Sequence, residues 1–477
     1  MLSTPPYDLS STAQAGLEPQ ATHPQKVVVV GAGMAGLVAA YELQRAGYHV
    51  AVLEATHRIG GRVLTLREAF TDDLYGEAGA MRLPVTDRLT QAYIERFRLQ
   101  TMPFTMAGPN ALVHLRGHRL SRGAVDSHPS ILDLDLAGPE GDRTVLEHWH
   151  GFLRQTGDRL KEDRAYWEEL HTRYGDYSLY DFLRKERWSA DAITSFAVLE
   201  SLEPLLATSF LEILQIELQW SDAHMAQLIG GMDHLPRAFM PSLEDHLLLG
   251  AEMVAVDQDA NSVTIHHRSG PDTGHLRADF GIITIPLPAM RFVDVLQPFS
   301  PAKQAAIRQV HYTNAVKVFL QCRRRFWEED DGIFGGATVT DLPNHLIYYP
   351  EHGRPTKKGV LMASFSYGEE ANRWAALSPD ERIREAVRFT AKIHPQIKQE
   401  FEVGDSKAWG NDRFAGGASA LFHPGQHTRL YQHMITPEGR IYFAGEHTSL
   451  RHGWIEGAVE SGLRAAREVH ARCLEAP

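Results

Sequence analysis

The sequence predicts an α/β fold: a Rossmann-like domain gathered from separated stretches of chain, with an α+β domain and a helical region woven between them. Three observations point there. Residues 26–62, KVVVVGAGMAGLVAAYELQRAGYHVAVLEATHRIGGR, hold a strand, three spaced glycines, a helix and a second strand ending on an acid. Apolar strands recur at residues 281–285 and 440–444, the later one followed by a closing helix over residues 455–472. Between them, residues 143–220 are charged, aromatic and nearly free of Gly and Pro, which predicts helices interrupted near Gly175 and Pro204.

The first strand, residues 27–30, is an uninterrupted β-branched run, as expected of a strand buried on both faces. Gly31, Gly33 and Gly36 follow in GxGxxG spacing. Gly31 permits a tight turn, Gly33 lets a pyrophosphate approach the backbone, and Gly36 lets helix and strand pack closely. Residues 37–46 have helical composition and stop at Gly47. The start of that helix offers unpaired N–H groups and a positive dipole end to phosphates. The second strand, residues 49–53, ends on Glu54, about 20 residues on, where a carboxylate accepts hydrogen bonds from ribose hydroxyls. A glycine-rich turn in an ordinary α/β domain is the alternative, and the ordered context disfavours it.

Farther along, residues 76–84 (GEAGAMRLP) lead into a helix with a core stripe of Leu89, Ala92, Tyr93 and Phe97. Residues 253–256 and 263–266 flank a hairpin turn at 257–262, and the strand at 281–285 is stopped by Pro286 and Pro288. Strand character returns at residues 315–322, 346–349 and 360–367. Ser378-Pro379 then starts a helix over residues 377–396.

At 477 residues the chain exceeds an average domain, so two or three packed domains are expected. A formal net charge of −12 argues against nucleic acid and anionic membranes as partners, and no apolar run is long enough for a membrane span. Residues 1–25 read as a flexible lead-in, free to lie along the folded body, without the apolar core of a signal peptide. Cys322 and Cys473 are the only cysteines, so no disulfide framework exists and a cytoplasmic location is expected. The 25 histidines contain no HExxH, and the pairs His148/His150 and His447/His452 lack a third ligand, so no metal site is expected. No GxSxG elbow suggests hydrolase chemistry.

After Glu54, residues 55–62 (ATHRIGGR) resemble the RxGGR extension of FAD-dependent amine oxidases, which favours FAD over NAD. Over residues 26–469 the chain resembles the flavoprotein L-amino acid oxidases of the flavin amine oxidase superfamily, in GAGMAG, VLEATHRIGGR, GAMRLP, GGMDHLP, AVKVFL, FWEEDDGI and GRIYFAGEHTSLRHGWIEGAVESG. The resemblance implies an FAD-binding domain (26–66, 232–309, 434–477), a substrate-binding domain (67–121, 310–433) and a helical domain (122–231) that shapes a funnel. It implies oxidation of an L-amino acid by hydride transfer from Cα to flavin N5, then reoxidation by O2, giving 2-oxo acid, ammonia and hydrogen peroxide. A homo-oligomer, dimer or higher, is the expected assembly. Cofactor contacts are expected from Gly31, Gly33, Met34, Ala35, Gly36, Glu54, Ala55 and Arg62 in the first part of the chain. Gly79, Ala80, Met81, Arg82, Met253, Gly445, Glu446, Gly453, Trp454 and Ile455 complete the set.

Such a reaction is first an orientation problem, because Cα must face the flavin. Arg82 of GAMRLP matches the family's carboxylate-binding arginine, whose planar fork grips a carboxylate by two hydrogen bonds; a surface arginine is the bland alternative. Lys317 of AVKVFL matches the lysine that holds a water and assists reoxidation, against a lysine snorkelling from a strand edge. Trp454, with Gly453, matches the aromatic wall of the pocket, and Glu446 the acid on the ribityl chain. Ile455 and Glu456 start the last helix, whose positive end would face the flavin.

Phe365 and Tyr367 share a strand face and, with Ser419, are pocket candidates; core packing would explain the aromatic pair equally well. Where some relatives carry a histidine proposed as base, the ungapped match is Gln215, with Gln219 one turn on. Glutamine removes no proton but would make the pocket more polar. Glu212, Glu217, Gln219 and Trp220 are candidates for specificity, against a merely solvated face. Larger neutral L-amino acids are the expected substrates, with basic ones admitted by the nearby acids. An amine or polyamine oxidase, or an amino acid monooxygenase, is the alternative on the same scaffold.

Overall fold

The computed structural model describes residues 9–19, 25–128, 144–163, 165–220, 224–353 and 356–474. Its centre is a five-stranded parallel sheet in the order Leu247–Leu249, His49–Glu54, Lys26–Val30, Phe280–Ile283, Ile441–Phe443. The valine run explains the position of the first strand. Val27 and Val29 enter the core beneath the helices Met34–Arg45 and Ile455–Leu474, whereas Val28 and Val30 enter a second core on the opposite face. A four-stranded sheet closes that second face, built from Glu252–Gln258, Val263–Ser269, Asp272–Ala278 and Asp294–Val295. A strand with no polar alternation therefore sits between two cores.

Close backbone approach sets the helices. A Cβ on Gly36 would lie 1.9 Å from the Gly31 carbonyl oxygen, and one on Gly462 would lie 2.4 Å from the Ala35 oxygen. Neither position has room for a side chain, so Met34–Arg45 and Ile455–Leu474 pack directly against the glycine turn and each other. The helix Met34–Arg45 starts earlier than the sequence suggests, because Gly36 lies inside its first turn.

The second large sheet has seven strands in the order Phe401–Ala408, Ala315–Cys322, Gly359–Tyr367, Leu346–Tyr348, Ala337–Thr340, Leu112–Leu115, His118–Ser121. The helices Gly368–Ala375 and Pro379–Ile393 cover one face, the latter started by a Ser378 capping box with Pro379 in its first turn. The other face packs on the helices Val145–Glu162, Tyr166–Tyr174, Leu179–Lys185, Ala190–Leu199 and Phe210–Trp220.

Part of the lead-in lies along the folded body: Leu9–Ala15 is a helix with Leu9, Thr12 and Ala13 buried, and Arg96 donates to the Ala13 and Gln14 carbonyls. Residues 1–8 and 20–24 of that lead-in lie outside the described residues, as do residues 129–143, 164 and 221–223 of the expected helical domain and the Trp220 side chain. That domain needs correction: it is not wholly helical, because Met225–Leu228 is a strand between Leu83–Pro84 and Thr101–Phe104. Its four residues are all buried, which favours a ladder that satisfies the backbone.

Candidate active site

The parallel strands end together, and a connected cleft of about 650 Å³ opens at their carboxyl ends, as expected for an open α/β sheet. Gly31, Gly33, Met34 and Ala35 line it after the first strand, Glu54 and Ala55 after the second, and Met253 beyond. Gly33 is the N-cap of Met34–Arg45 and offers no side chain, so the first-turn N–H groups face the cleft unscreened. Gly36 lies beneath the turn and does not reach the cleft. Glu54 is held in place: one oxygen accepts from Ala32 N at 2.9 Å and the other from Thr56 N and Oγ1 at 2.9 and 2.7 Å.

The GGR extension packs on the same turn. Gly60 N donates to Ala32 O at 2.8 Å, and a Cβ on Gly61 would lie 3.2 Å from Gly33 Cα. Arg62 then donates to Glu446 Oε1 at 2.8 Å and to Ala418 O at 3.0 Å. Glu446 also accepts from Gly453 N at 2.9 Å and Ala420 N at 3.2 Å. Burial opposes ionisation of Glu446, but Arg62, His452 and His447 outweigh it and hold the carboxyl below its ordinary range. Arg62, Glu446, Gly445, Gly453, Trp454 and Ile455 all line the cleft. A phosphate-sized approach at the glycines, a fixed acid at the second strand and a basic–acidic pair farther in together fit a long dinucleotide.

Gly79, Ala80, Met81 and Arg82 carry the lining across to the seven-stranded sheet. Arg82 is only 9% exposed, donates from Nη1 to the Tyr348 hydroxyl at 3.0 Å, and lies 5.6 Å from each of the Phe104 and Tyr348 rings. It is therefore not a surface arginine. Phe365 and Tyr367 also line the cleft, their rings 5.5 Å apart, and Tyr348 stands 6.3 Å from Phe365. Tyr367 donates its hydroxyl proton to the Ser201 carbonyl. Sequence reasoning missed Tyr348 and Trp409, both cleft residues. Trp409 is fixed by its Nε1–H bond to Ala78 O at 2.8 Å. A tyrosine inside the apolar run LIYY carries no signal apart from strand phase.

Lys317 lies in an interior strand, between Phe401–Ala408 and Gly359–Tyr367, so the edge-snorkelling alternative fails. Its Nζ donates to Glu77 O at 3.0 Å and Gly79 O at 2.6 Å, 4.9 Å from the Phe365 ring. Burial pulls the Lys317 ammonium down to about 7, with Glu77 opposing and Arg82 adding to the fall. Burial likewise pushes the Glu77 carboxyl up to about 7, although it accepts from Met232 N at 2.8 Å and Thr65 Oγ1 at 3.0 Å.

The loop bearing Trp454 is clamped from the helix Phe210–Trp220. Glu212 contacts His452 Nδ1 at 2.8 Å and His427 Nε2 at 3.2 Å, all three side chains being buried. Gln215 Nε2 donates to Leu450 O at 2.7 Å. Gln215 and Gln219 therefore do not line the cleft, contrary to expectation. At about 100° per residue, Ile213, Ile216 and Glu217 share the face that does, whereas Glu212, Gln215 and Gln219 lie on another. Ser419 lines the cleft beside Gly453, whose φ of +76 favours glycine. Glu456 turns away from the cleft and caps Arg88–Arg96, accepting from Leu89 N at 3.0 Å and Thr90 N at 2.8 Å.

Residues 34–470 match the sequence model of the family described as flavin containing amine oxidoreductase. YobN of Bacillus subtilis (strain 168), named as a candidate L-amino-acid oxidase, is 38% identical over 94% of this chain and 95% of its own length. L-amino-acid oxidase BmooLAAO-I of Bothrops moojeni is 34% identical over 94% of this chain and 90% of its own. In fold, a putrescine oxidase triple mutant superposes with a TM-score of 0.79 at 20% identity, covering 94% of this chain and 99% of that one. Cyclohexylamine oxidase from Brevibacterium oxydans IH-35A gives 0.75 at 19% identity, covering 95% and 100%. A dinucleotide cleft in a chain matched by a flavin family along most of its length leads to one conclusion: this protein belongs to the flavin-containing amine oxidoreductases, and its cofactor is FAD.

Proposed function

We propose that the chain is an L-amino acid oxidase, converting an L-amino acid, water and O2 to a 2-oxo acid, ammonia and hydrogen peroxide. One observation carries the reading: a buried arginine, Arg82, lines the cleft with a tyrosine hydroxyl on its Nη1. A guanidinium desolvated this far is matched by a planar carboxylate, which an amino acid has and a simple amine lacks. FAD, when bound, supplies the two-electron acceptor that passes electrons to O2. Gly31, Gly33, Glu54, Arg62 and Glu446 are the residues that would hold it. Arg82 and Tyr348 hold the substrate carboxylate, while Trp454, Phe365 and Tyr367 wall its side chain. Lys317 spends two hydrogen bonds on backbone carbonyls, so its ammonium form keeps a third N–H for a small polar molecule. Gln215 takes no part in removing the substrate's ammonium proton, since it faces Leu450 and has no basic atom.

An amine oxidase on the same scaffold is the competing reading, favoured by the fold likeness to putrescine and cyclohexylamine oxidases. A peroxide-release screen of the purified holoenzyme over L-amino acids, D-amino acids and simple amines separates the two. L-amino acids are the expected substrates, and Arg82→Ala is expected to lower kcat/KM for them by about a thousandfold, the loss of a charged hydrogen-bonded pair worth roughly 4 kcal/mol. Activity confined to amines, or unchanged in Arg82→Ala, would overturn the proposal.

A further inference from the structure

Beyond Arg82 the cleft continues along a ladder of rings. The Arg82 guanidinium is 5.6 Å from the Tyr348 ring, Tyr348 is 6.3 Å from Phe365, and Phe365 is 5.5 Å from Tyr367. Tyr367 bonds to the Ser201 carbonyl, next to Glu200. Across from this ladder stands the cleft face of Phe210–Trp220, with Ile213, Ile216 and Glu217. Two buried cations, Arg82 and Lys317, thus line its inner end, and the half-buried Glu200 and Glu217 line its outer arm, with Arg122 beside Glu200.

The two outer acids differ in one respect. Glu200 contacts Arg122 Nη2 at 3.5 Å and His150 Nε2 at 3.8 Å, and Arg122 is itself held by Asp126 at 2.8 Å. Among the described residues, no Lys, Arg or His makes an ion-pair contact with Glu217. Glu217 is half-buried, and burial followed by repulsion from Glu200 raises its carboxyl to about 7, with Trp149 and His150 opposing. An enclosed carboxylate is costly unless a cation joins it.

We infer that Glu217 is a specificity-determining residue that receives the cationic end of the substrate side chain, so that L-amino acids of the lysine and arginine type are preferred over neutral ones of equal length. This rests on the L-amino acid reading. The substrate carboxylate lies at Arg82 and Tyr348, the aliphatic stem runs over Phe365 and Tyr367, and the terminal ammonium or guanidinium meets Glu217. Ile213 and Ile216 sit one turn apart beside that stem and exclude water from it.

Steady-state peroxide release by the holoenzyme, with L-lysine and L-arginine compared against L-norleucine, tests the assignment. The wild type is expected to favour the cationic substrates. Glu217→Gln, nearly isosteric, is expected to raise KM for L-lysine and L-arginine by about tenfold to a hundredfold while L-norleucine moves less than about twofold. Glu217→Asp, which keeps the charge, is expected to recover part of the preference, and flavin content measured by absorbance confirms that both variants are folded. A wild type that prefers L-norleucine, or a Glu217→Gln variant that shifts cationic and neutral substrates alike, overturns the inference while leaving the L-amino acid reading intact. Failure to oxidise any amino acid rejects that reading itself.

Discussion

Lys317 shows how one residue's surroundings set its chemistry. All eight residues of Ala315–Cys322 are buried, and the strand alternates, so Val316, Val318 and Leu320 enter one core while Lys317 faces the cleft. Desolvation disfavours the ammonium, and its value of about 7 means that the cation dominates below that pH and the neutral amine above it. In the proposed role beside the site of oxygen reduction, the cation would favour charge developing on oxygen. The kcat/KM for O2 is therefore expected to fall as pH rises through about 7, and Lys317→Met is expected to lose that limb and run about a hundredfold slower below it. Stopped-flow mixing with O2 across pH checks both; a pH-independent wild type would refute the assignment. Arg82 and Lys317 were singled out by the resemblance of GAMRLP and AVKVFL to the family, since the residues alone left a surface arginine and an edge lysine open; the structure shows both buried and lining the cleft. Tyr348 was not, because an aromatic in a strand looks the same whether it packs in a core or lines a cleft.

The helix Phe210–Trp220 divides its faces between two tasks, and that division was not legible. Glu and Gln at this density read as a solvated surface, yet Glu212 is 2% exposed. Only the direction from which neighbouring elements pack decides which phase of an amphipathic helix meets the cleft. Glu212 and Gln215 tie the helix to the loop that presents Trp454, so the same element that walls the outer cleft also fixes its inner aromatic. Burial opposes the Glu212 charge, but His452 and His427 outweigh it and hold the carboxyl at about 2. Burial also opposes the His452 charge, and Glu212 outweighs it, raising that imidazole above its ordinary value of 6.5. The Glu212 contribution to stability is full above its unfolded value of 4.5 and is lost as pH falls towards 2. The His452 contribution is full below 6.5 and is lost as pH rises through the raised folded value. Their window of joint stabilisation is about pH 4.5 to 6.5. Glu212→Ala strands buried imidazoles and is expected to cost about 3–5 kcal/mol, with the largest Tm difference from wild type inside that window. Thermal melts at several pH values test this, and a pH-independent difference would refute the linkage.

At the scale of the whole molecule, the chain leaves and re-enters one sheet. Neighbouring strands such as Lys26–Val30 and Phe280–Ile283 come from opposite sides of a long excursion, and Ile441–Phe443 closes the edge from near the C-terminus. The strands at each return were readable as apolar runs, whereas Leu247–Leu249 was read only as part of the passage from a helix towards short strands; two of its three leucines are exposed at the opposite edge. Sheet order depends on loop closure over hundreds of residues, for which local pattern holds no information. The cofactor cleft draws on all three visits of the chain, through Gly31 and Glu54, through Thr284, and through Gly445 and Glu446. FAD held there would touch all three visits, which already meet through the sheet, through the packed helices Met34–Arg45 and Ile455–Leu474 and through Arg62–Glu446, and its binding energy would add to the stability of the whole. Apoprotein is expected to melt below the holoenzyme, and FAD at a hundred times its Kd to restore about 2.7 kcal/mol. Gly36→Ala places a methyl 1.9 Å from the Gly31 oxygen and must displace the glycine turn. That variant is expected to purify without the flavin absorbance and to show no rise in Tm on titration with FAD. A yellow Gly36→Ala protein with a wild-type FAD response would mean that the turn tolerates the added carbon and is not the fixed cradle its geometry implies.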